Sequence, residues 1–402
     1  MEMGMAFPRL FGSRAAVWFA GAWMAMLAMC LDPLRSLAAE FRVEAPLDYQ
    51  VVQRATPQAG SVTVRGTTPL PGPVSIRIQG EGLSGPYDSA WVQTESVGSE
   101  PRFSSVFTLP AGGWYAVTVR YGAAGPERRE IRVEHLGIGE VFVGAGQSNS
   151  TNYGEERQKL ETGKVSTFDG TSWRIANDPQ PGTFDHSGGG SFWPSFGDEM
   201  VRRLGVPIGV AVTGNGATSV LQWQPKGTRV GIRPTAYSFV RAVGTNEWEC
   251  DGALFDHLAK RVAQLGPRGF RAVLWHQGES DANQPNPTPR RITGPEYASN
   301  LERLIRGQRE AAGWNIPWFV ALVSYHVPDD PGSGVIRDAQ MDLWRRGVAL
   351  EGPDTDALQG DHRDGGGRGV HFSGKGQRAH GQLWAGKVSE WLKSSVPHLP
   401  QK

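Results

Sequence analysis

Two hydrophobic patterns divide the chain. Residues 49–54, 61–65, 74–78, 115–120 and 130–134 alternate apolar and polar positions. A period of two predicts strands with one buried face each. Turn-forming clusters at 69–73 and 111–113 separate these segments. Several short strands at this spacing predict a small β-sandwich of immunoglobulin-like type over residues 40–137. From residue 138 the pattern changes. Segments 140–145, 206–212, 271–275 and 318–323 are almost continuously apolar, as suits parallel strands covered on both faces. Leu254, Leu258, Val262 and Leu265 recur at nearly helical spacing, as do Leu301, Leu304, Ile305 and Gln308. A last helix is predicted over 374–394, burying Leu383, Trp384, Val388 and Trp391. Strands alternating with helices predict an α/β domain over 138–396, built on a doubly wound parallel sheet.

Three long polar insertions, at roughly 150–191, 224–250 and 281–295, interrupt this domain. They follow strands that end near 146, 213 and 276. In open α/β sheets the ligand sits beyond the carboxyl ends of the strands, so the insertions are expected to gather around a binding site.

Composition narrows the class. The 402 residues suffice for two or three domains, and 39% hydrophobic with 20% charged residues is ordinary for a soluble protein. A formal net charge of +1 gives no electrostatic case for nucleic acid as a partner. The 14 Trp residues suit sugar stacking or core filling equally. Arg9 and Arg14 precede an apolar run at 15–29, and small residues at 36–39 follow. This predicts a cleaved export signal over 1–39 and a secreted or periplasmic mature protein. The run is short for a bilayer span, which takes about 20 residues, so no span is expected in the mature chain. Cleavage removes Cys30 and leaves Cys250 alone, so no intramolecular disulfide is expected.

Three stretches carry candidate chemistry. Gly-Gln-Ser-Asn at 146–149 follows the first apolar strand. A serine on a tight strand-end turn is exposed and can aim its own N–H at a developing oxyanion. His-Gln-Gly-Glu at 276–279, with Asp281 beyond it, follows another strand. Gln277 offers a neutral amide donor, and Glu279 and Asp281 are carboxylates on the same turn. Val-His-Phe-Ser at 370–373 precedes the last helix, and His371 is a candidate general base. Taken singly, each stretch reads equally well as a polar turn, an acidic helix start or a capping residue. The histidines lack tight metal-ligand spacing, so no metal site is expected.

In this order and spacing the three stretches resemble the SGNH hydrolases, and within them the sialate O-acetylesterase-like group and carbohydrate esterase family six. The resemblance covers residues 138–394, and the upstream strands resemble the β-domain that often precedes this catalytic domain. It implies a flavodoxin-like sheet and a serine esterase that removes acetyl groups from a carbohydrate without a cofactor. Ser148 matches the nucleophile and His371 the base. Within Thr-Gly-Asn-Gly-Ala-Thr at 213–218, Gly216 matches an oxyanion donor, joined by Ser148 N–H and Gln277. Asn149, Trp223 and His276 are the candidates for substrate contact. The sequence departs from the family at the third triad member: three residues before His371 stands Arg368, where many relatives carry Asp. Glu279 is the first substitute and Asp364, beside a flexible Gly365-Gly366-Gly367 run, the second, followed by Asp361 and Asp281. The departure also motivates an alternative, a carbohydrate-binding protein with weakened catalysis on an esterase fold.

Overall fold

A computed structural model describes residues 40–231, 238–283 and 291–395. The expected export signal, Cys30 and parts of the second and third insertions lie outside these residues.

The parallel sheet forms as the apolar segments require. From one edge its order is Trp173–Ile175, Val165–Phe168, Ile208–Val212, Arg129–Gly146, Ala272–His276, Trp318–Leu322 and Leu350–Asp354. All pairs are parallel except the antiparallel edge strand Trp173–Ile175. Leaving aside that edge strand and its neighbour, the strands run 2-1-3-4-5 in chain order, the flavodoxin-like arrangement. The strands are buried on both faces because alternate side chains enter two different cores. Phe142, Val210, Leu274 and Phe319 pack with Trp193, Phe196, Met200, Trp384, Val388 and Leu392 on one side. Val143, Ala211, Val273 and Val320 pack with Leu254, Leu258, Leu301, Leu304, Ile336 and Leu343 on the other.

Three strands of this parallel sheet were not expected. Val165–Phe168 and Trp173–Ile175 lie inside the first polar insertion, and at four and three residues they are too short to show a period. Leu350–Asp354 contains Gly and Pro, which confines it to the sheet edge. In the last helix, Gly374–Ser395, Trp384, Val388 and Leu392 face inward, whereas Leu383 is 38% exposed, contrary to expectation. One position separates Leu383 from the buried stripe, which turns it outward.

The five alternating segments at the N-terminus are strands, and Arg42–Ala45, Gly85–Asp88, Val92–Ser96 and Arg102–Pro110 add to them. Arg42–Ala45, Ala59–Thr67 and Arg102–Pro110 form a three-stranded sheet. The others do not close a sheet of their own. Arg129–Gly146 is 18 residues long: its first part pairs with Gly112–Tyr121, and its last part is the central strand of the parallel sheet. The boundary expected at 137/138 thus falls inside an unbroken strand. Buried ion pairs reinforce the junction. Glu140, fully buried, accepts from Arg54 Nε at 2.7 Å, Arg271 Nε at 2.7 Å and Gln53 Nε2 at 2.8 Å.

Candidate active site

The chain order reverses between the strands that end at Gly146 and His276, where an open sheet leaves a crevice. Gly146 has φ +133°, and a Cβ there would lie 2.0 Å from the His276 carbonyl oxygen. Only glycine lets the two strand ends approach so closely. The loops beyond them are laced together through Gln147. Its N–H donates to His276 O (3.0 Å), and its Oε1 accepts from Ser280 N–H (3.1 Å) and Gln277 Nε2 (3.2 Å). Ser148 opens a 3₁₀ turn, Ser148–Ser150, closed by Ser150 N–H to Gln147 O and Thr151 N–H to Ser148 O. No hydrogen bond to a described residue takes up the Ser148 hydroxyl.

Asn149 connects this turn to the loop that carries His371. Its Nδ2 donates to Glu279 Oε1 at 2.9 Å and to the Val370 carbonyl at 3.1 Å. Both amide hydrogens are thereby used within the protein, and the side chain organises the site instead of facing a ligand. The bond to Val370 O joins the residue after Ser148 to the residue before His371.

The imidazole of His371 has Asp364 as its acidic neighbour. Asp364 Oδ2 lies 3.6 Å from His371 Nδ1, and this contact holds the Asp364 carboxyl below the usual carboxylate range. The loop reaches this geometry because Arg363 and Phe372 form an antiparallel bridge, with Asp364 N–H donating to His371 O at 3.0 Å. The intervening Gly365, Gly366 and Gly367 all have positive φ (57°, 69° and 86°) and turn the chain back on itself. An acid seven residues before the histidine thus comes to its side. Glu279, the first candidate from sequence, sits elsewhere. It is 4% exposed, bonded to Asn149, and 3.9 Å from His276 Nδ1. Burial pushes its carboxyl up to about 7.

Several expected contacts change role. Gln277 is fully buried, and its Nε2 faces Asp281 Oδ2 (2.7 Å), Thr218 O (3.0 Å) and Gln147 Oε1 (3.2 Å). Its two hydrogens are committed to protein acceptors, which leaves none for an oxyanion. Trp223, also fully buried, donates Nε1–H to Thr218 Oγ1 at 3.1 Å and packs edge-on against Trp275. His276, 1% exposed, is bonded through Nε2 to Thr355 Oγ1 at 3.0 Å, and burial lowers its pKa to about 3. These two residues are core, not ligand contacts. The sequence could not separate an aromatic after the glycine block, or a strand-end histidine, that faces the crevice from one that faces the core. Gly216 stays at the crevice, but its N–H donates to Asp185 Oδ2 at 2.7 Å.

Tyr153 was not singled out from the sequence. It is 40% exposed, and its ring lies 5.1 Å from that of His371. Its one signal was an aromatic residue five positions after the candidate nucleophile, within a loop. Burial and, to a lesser degree, the charge of Asp185 raise the Tyr153 pKa.

Among known proteins, the family model described as carbohydrate esterase, sialic acid-specific acetylesterase, matches residues 138–390. A probable carbohydrate esterase of Arabidopsis thaliana is 30% identical over 119 residues, 28% of this chain. The chain spans 40% of the length of that curated relative. A solved carbohydrate acetylesterase from Xanthomonas citri aligns with a TM-score of 0.51 at 16% identity, covering 87% of this chain and 75% of the other. A solved Arabidopsis thaliana structure aligns at a TM-score of 0.43 and 18% identity, covering 64% of this chain and 98% of the other. The Xanthomonas structure shares the fold.

Proposed function

The chain belongs to the sialic acid-specific acetylesterase family of carbohydrate esterases, and from that premise we propose that it removes O-acetyl groups from a carbohydrate by way of an acetyl-serine intermediate on Ser148. The observation that carries this reading is the joint of Asn149 with Val370 O, which draws the turn of Ser148 and the loop of His371 to one place. His371 accepts the Ser148 proton as the hydroxyl attacks the acetyl carbonyl, and returns it to the departing sugar alcohol. Asp364, at 3.6 Å, stabilises the imidazolium that forms between these steps. Water then hydrolyses the acetyl-enzyme with the same base. The tetrahedral oxyanion is received by Ser148 N–H and by Gly216 N–H, which the acyl oxygen reaches by displacing the Asp185 carboxylate. Gln277 has no part in that step.

Tyr153 offers a half-exposed ring beside the base, a surface on which a sugar stacks. Sialic acid and acetylated polysaccharides both meet this chemistry. The β-strand region over 40–137 serves as a buttress and spacer for the catalytic sheet. The mature protein acts outside the cytoplasm after loss of residues 1–39. The binding-only alternative rests on Arg368 in place of an acid; the 3.6 Å approach of Asp364 to His371 Nδ1 supports the esterase reading over it.

The test is acetate release from a panel of acetylated glycans, with 4-nitrophenyl acetate as a reporter. Both activities are expected to disappear in Ser148→Ala. A folded wild-type protein that releases no acetate from any ester, or a Ser148→Ala variant that keeps its rate, overturns the proposal.

A further inference from the structure

A buried cation lies beside the proposed triad, and the mechanism leaves it without a task. Arg363 is 2% exposed. Its guanidinium lies between two aromatic rings, 3.9 Å from the Tyr325 centroid and 4.2 Å from that of Phe372. Its hydrogen-bond donors reach carbonyls: Nε to Leu358 O at 2.6 Å, Nη1 to Val370 O at 2.8 Å and Nη2 to Thr355 O at 3.1 Å. No described carboxylate forms an ion pair with it. Burial lowers its pKa to about 10. A charge held this way, without a direct ion pair, is costly to desolvate; what it contributes is geometry.

That geometry converges on the base. The Val370 carbonyl that Arg363 grips is the same oxygen that accepts from Asn149 Nδ2. Val370 precedes His371, and Asn149 follows Ser148. Phe372, the ring against the guanidinium, follows His371 and is bridged to the Arg363 backbone. Arg363 itself precedes Asp364. One side chain therefore touches the residues on both sides of the base and is adjacent in sequence to the acid.

We infer that Arg363 is a positioning residue: by donating Nη1–H to Val370 O and stacking on Phe372, it sets the His371 imidazole against Ser148 and Asp364. The rate readout for this inference rests on the esterase reading above, so the experiment carries a second readout that does not.

The full-length chain is assayed with 4-nitrophenyl acetate as wild type, Arg363→Lys and Arg363→Ala. Lysine keeps the charge but cannot span three carbonyls. A misplacement of about 1 Å costs on the order of 10²-fold in rate. Arg363→Lys is therefore expected to lower kcat by ~30-fold or more with KM within ~3-fold. Guanidinium ion is expected to restore part of the Arg363→Ala rate, and sodium chloride at equal ionic strength is not. In a His371→Ala background, Arg363→Lys is expected to cost nothing further, since the imidazole it positions is gone. An unchanged kcat overturns the inference, as does a loss of equal size with and without His371. Should Arg363→Ala fail to fold, Arg363→Lys and Tyr325→Leu, which opens one side of the ring sandwich, decide the matter.

Histidine-selective NMR supplies the independent readout. The ring signals of His371 are expected to move or split in Arg363→Lys, whether or not any ester is turned over. A wild-type enzyme without Ser148-dependent turnover defeats the esterase reading alone. His371 signals that coincide in the two proteins defeat the positioning role.

Discussion

Replacing Asp364 by Asn removes the negative charge 3.6 Å from His371 Nδ1 and keeps the shape of the side chain. Two unit charges near this separation interact by about 1 kcal/mol in water and about 4 kcal/mol at an effective dielectric of 20. The side chains are 24% and 26% exposed, so the environment lies between those limits. An intermediate value of ~2–3 kcal/mol applies to the imidazolium that the proposed mechanism forms as Ser148 loses its proton, and at 1.36 kcal/mol per decade kcat is expected to fall by ~30–150-fold. His371 holds the Asp364 carboxyl below its usual range, so the charge is present throughout the working pH. Glu279→Gln is the matched control. Glu279 bonds Asn149 and not the base, and Gln can still accept that hydrogen bond, so a loss below ~5-fold is expected. The assay is kcat and kcat/KM for 4-nitrophenyl acetate in both variants, with Ser148→Ala as baseline. A larger loss in Glu279→Gln than in Asp364→Asn would return the supporting role to Glu279 and refute the reasoning.

Three further outcomes follow from the buried polar groups. Glu279 titrates near 7 in the folded chain against 4.5 ordinarily, because burial disfavours its charge. Between those values the folded state binds more protons than the unfolded, so this group's contribution to stability falls by about 3 kcal/mol as pH rises through the window. Urea unfolding of wild type and Glu279→Gln at pH 5 and pH 8 should show the gap swing toward the variant at the higher pH; a gap independent of pH contradicts this. Gln277→Ala removes the Nε2 donor from Thr218 O and from Asp281 Oδ2. It should lower unfolding free energy by ~2–4 kcal/mol in denaturant titrations, whereas an oxyanion donor would lower the rate alone. Glu140→Leu strands Arg54 and Arg271 without their counter-ion. A cost of about 3–5 kcal/mol is expected, with the two ends of the long strand still melting together by calorimetry; two separated transitions would show them to be independent.

Periodicity in the sequence revealed the sheet, its helices and the loops that bear chemistry, because side-chain direction along a strand or helix is a local property. The motif at 146–149 was legible for the same reason: a small-residue turn after an apolar run is a strand end wherever it lies. The strands at 165–168 and 350–354 escaped, one too short for any period and the other interrupted by Gly and Pro. Which carboxylate serves His371 was a different kind of question. Asp364 and Glu279 are equally acidic on paper, and only the Arg363–Phe372 bridge and three left-handed glycines put one of them beside the imidazole. Likewise Gln277, Trp223 and His276 look like ligand contacts until their partners are known, and those partners lie far along the chain: Gln277 bonds residues 130 and 59 positions away, and His276 one 79 away. Hydrogen-bond donors and buried surface are finite, so a side chain that is both fully buried and engaged by the fold, as these three are, is closed to a ligand. That allocation is made between distant segments when they pack, and no local pattern records it.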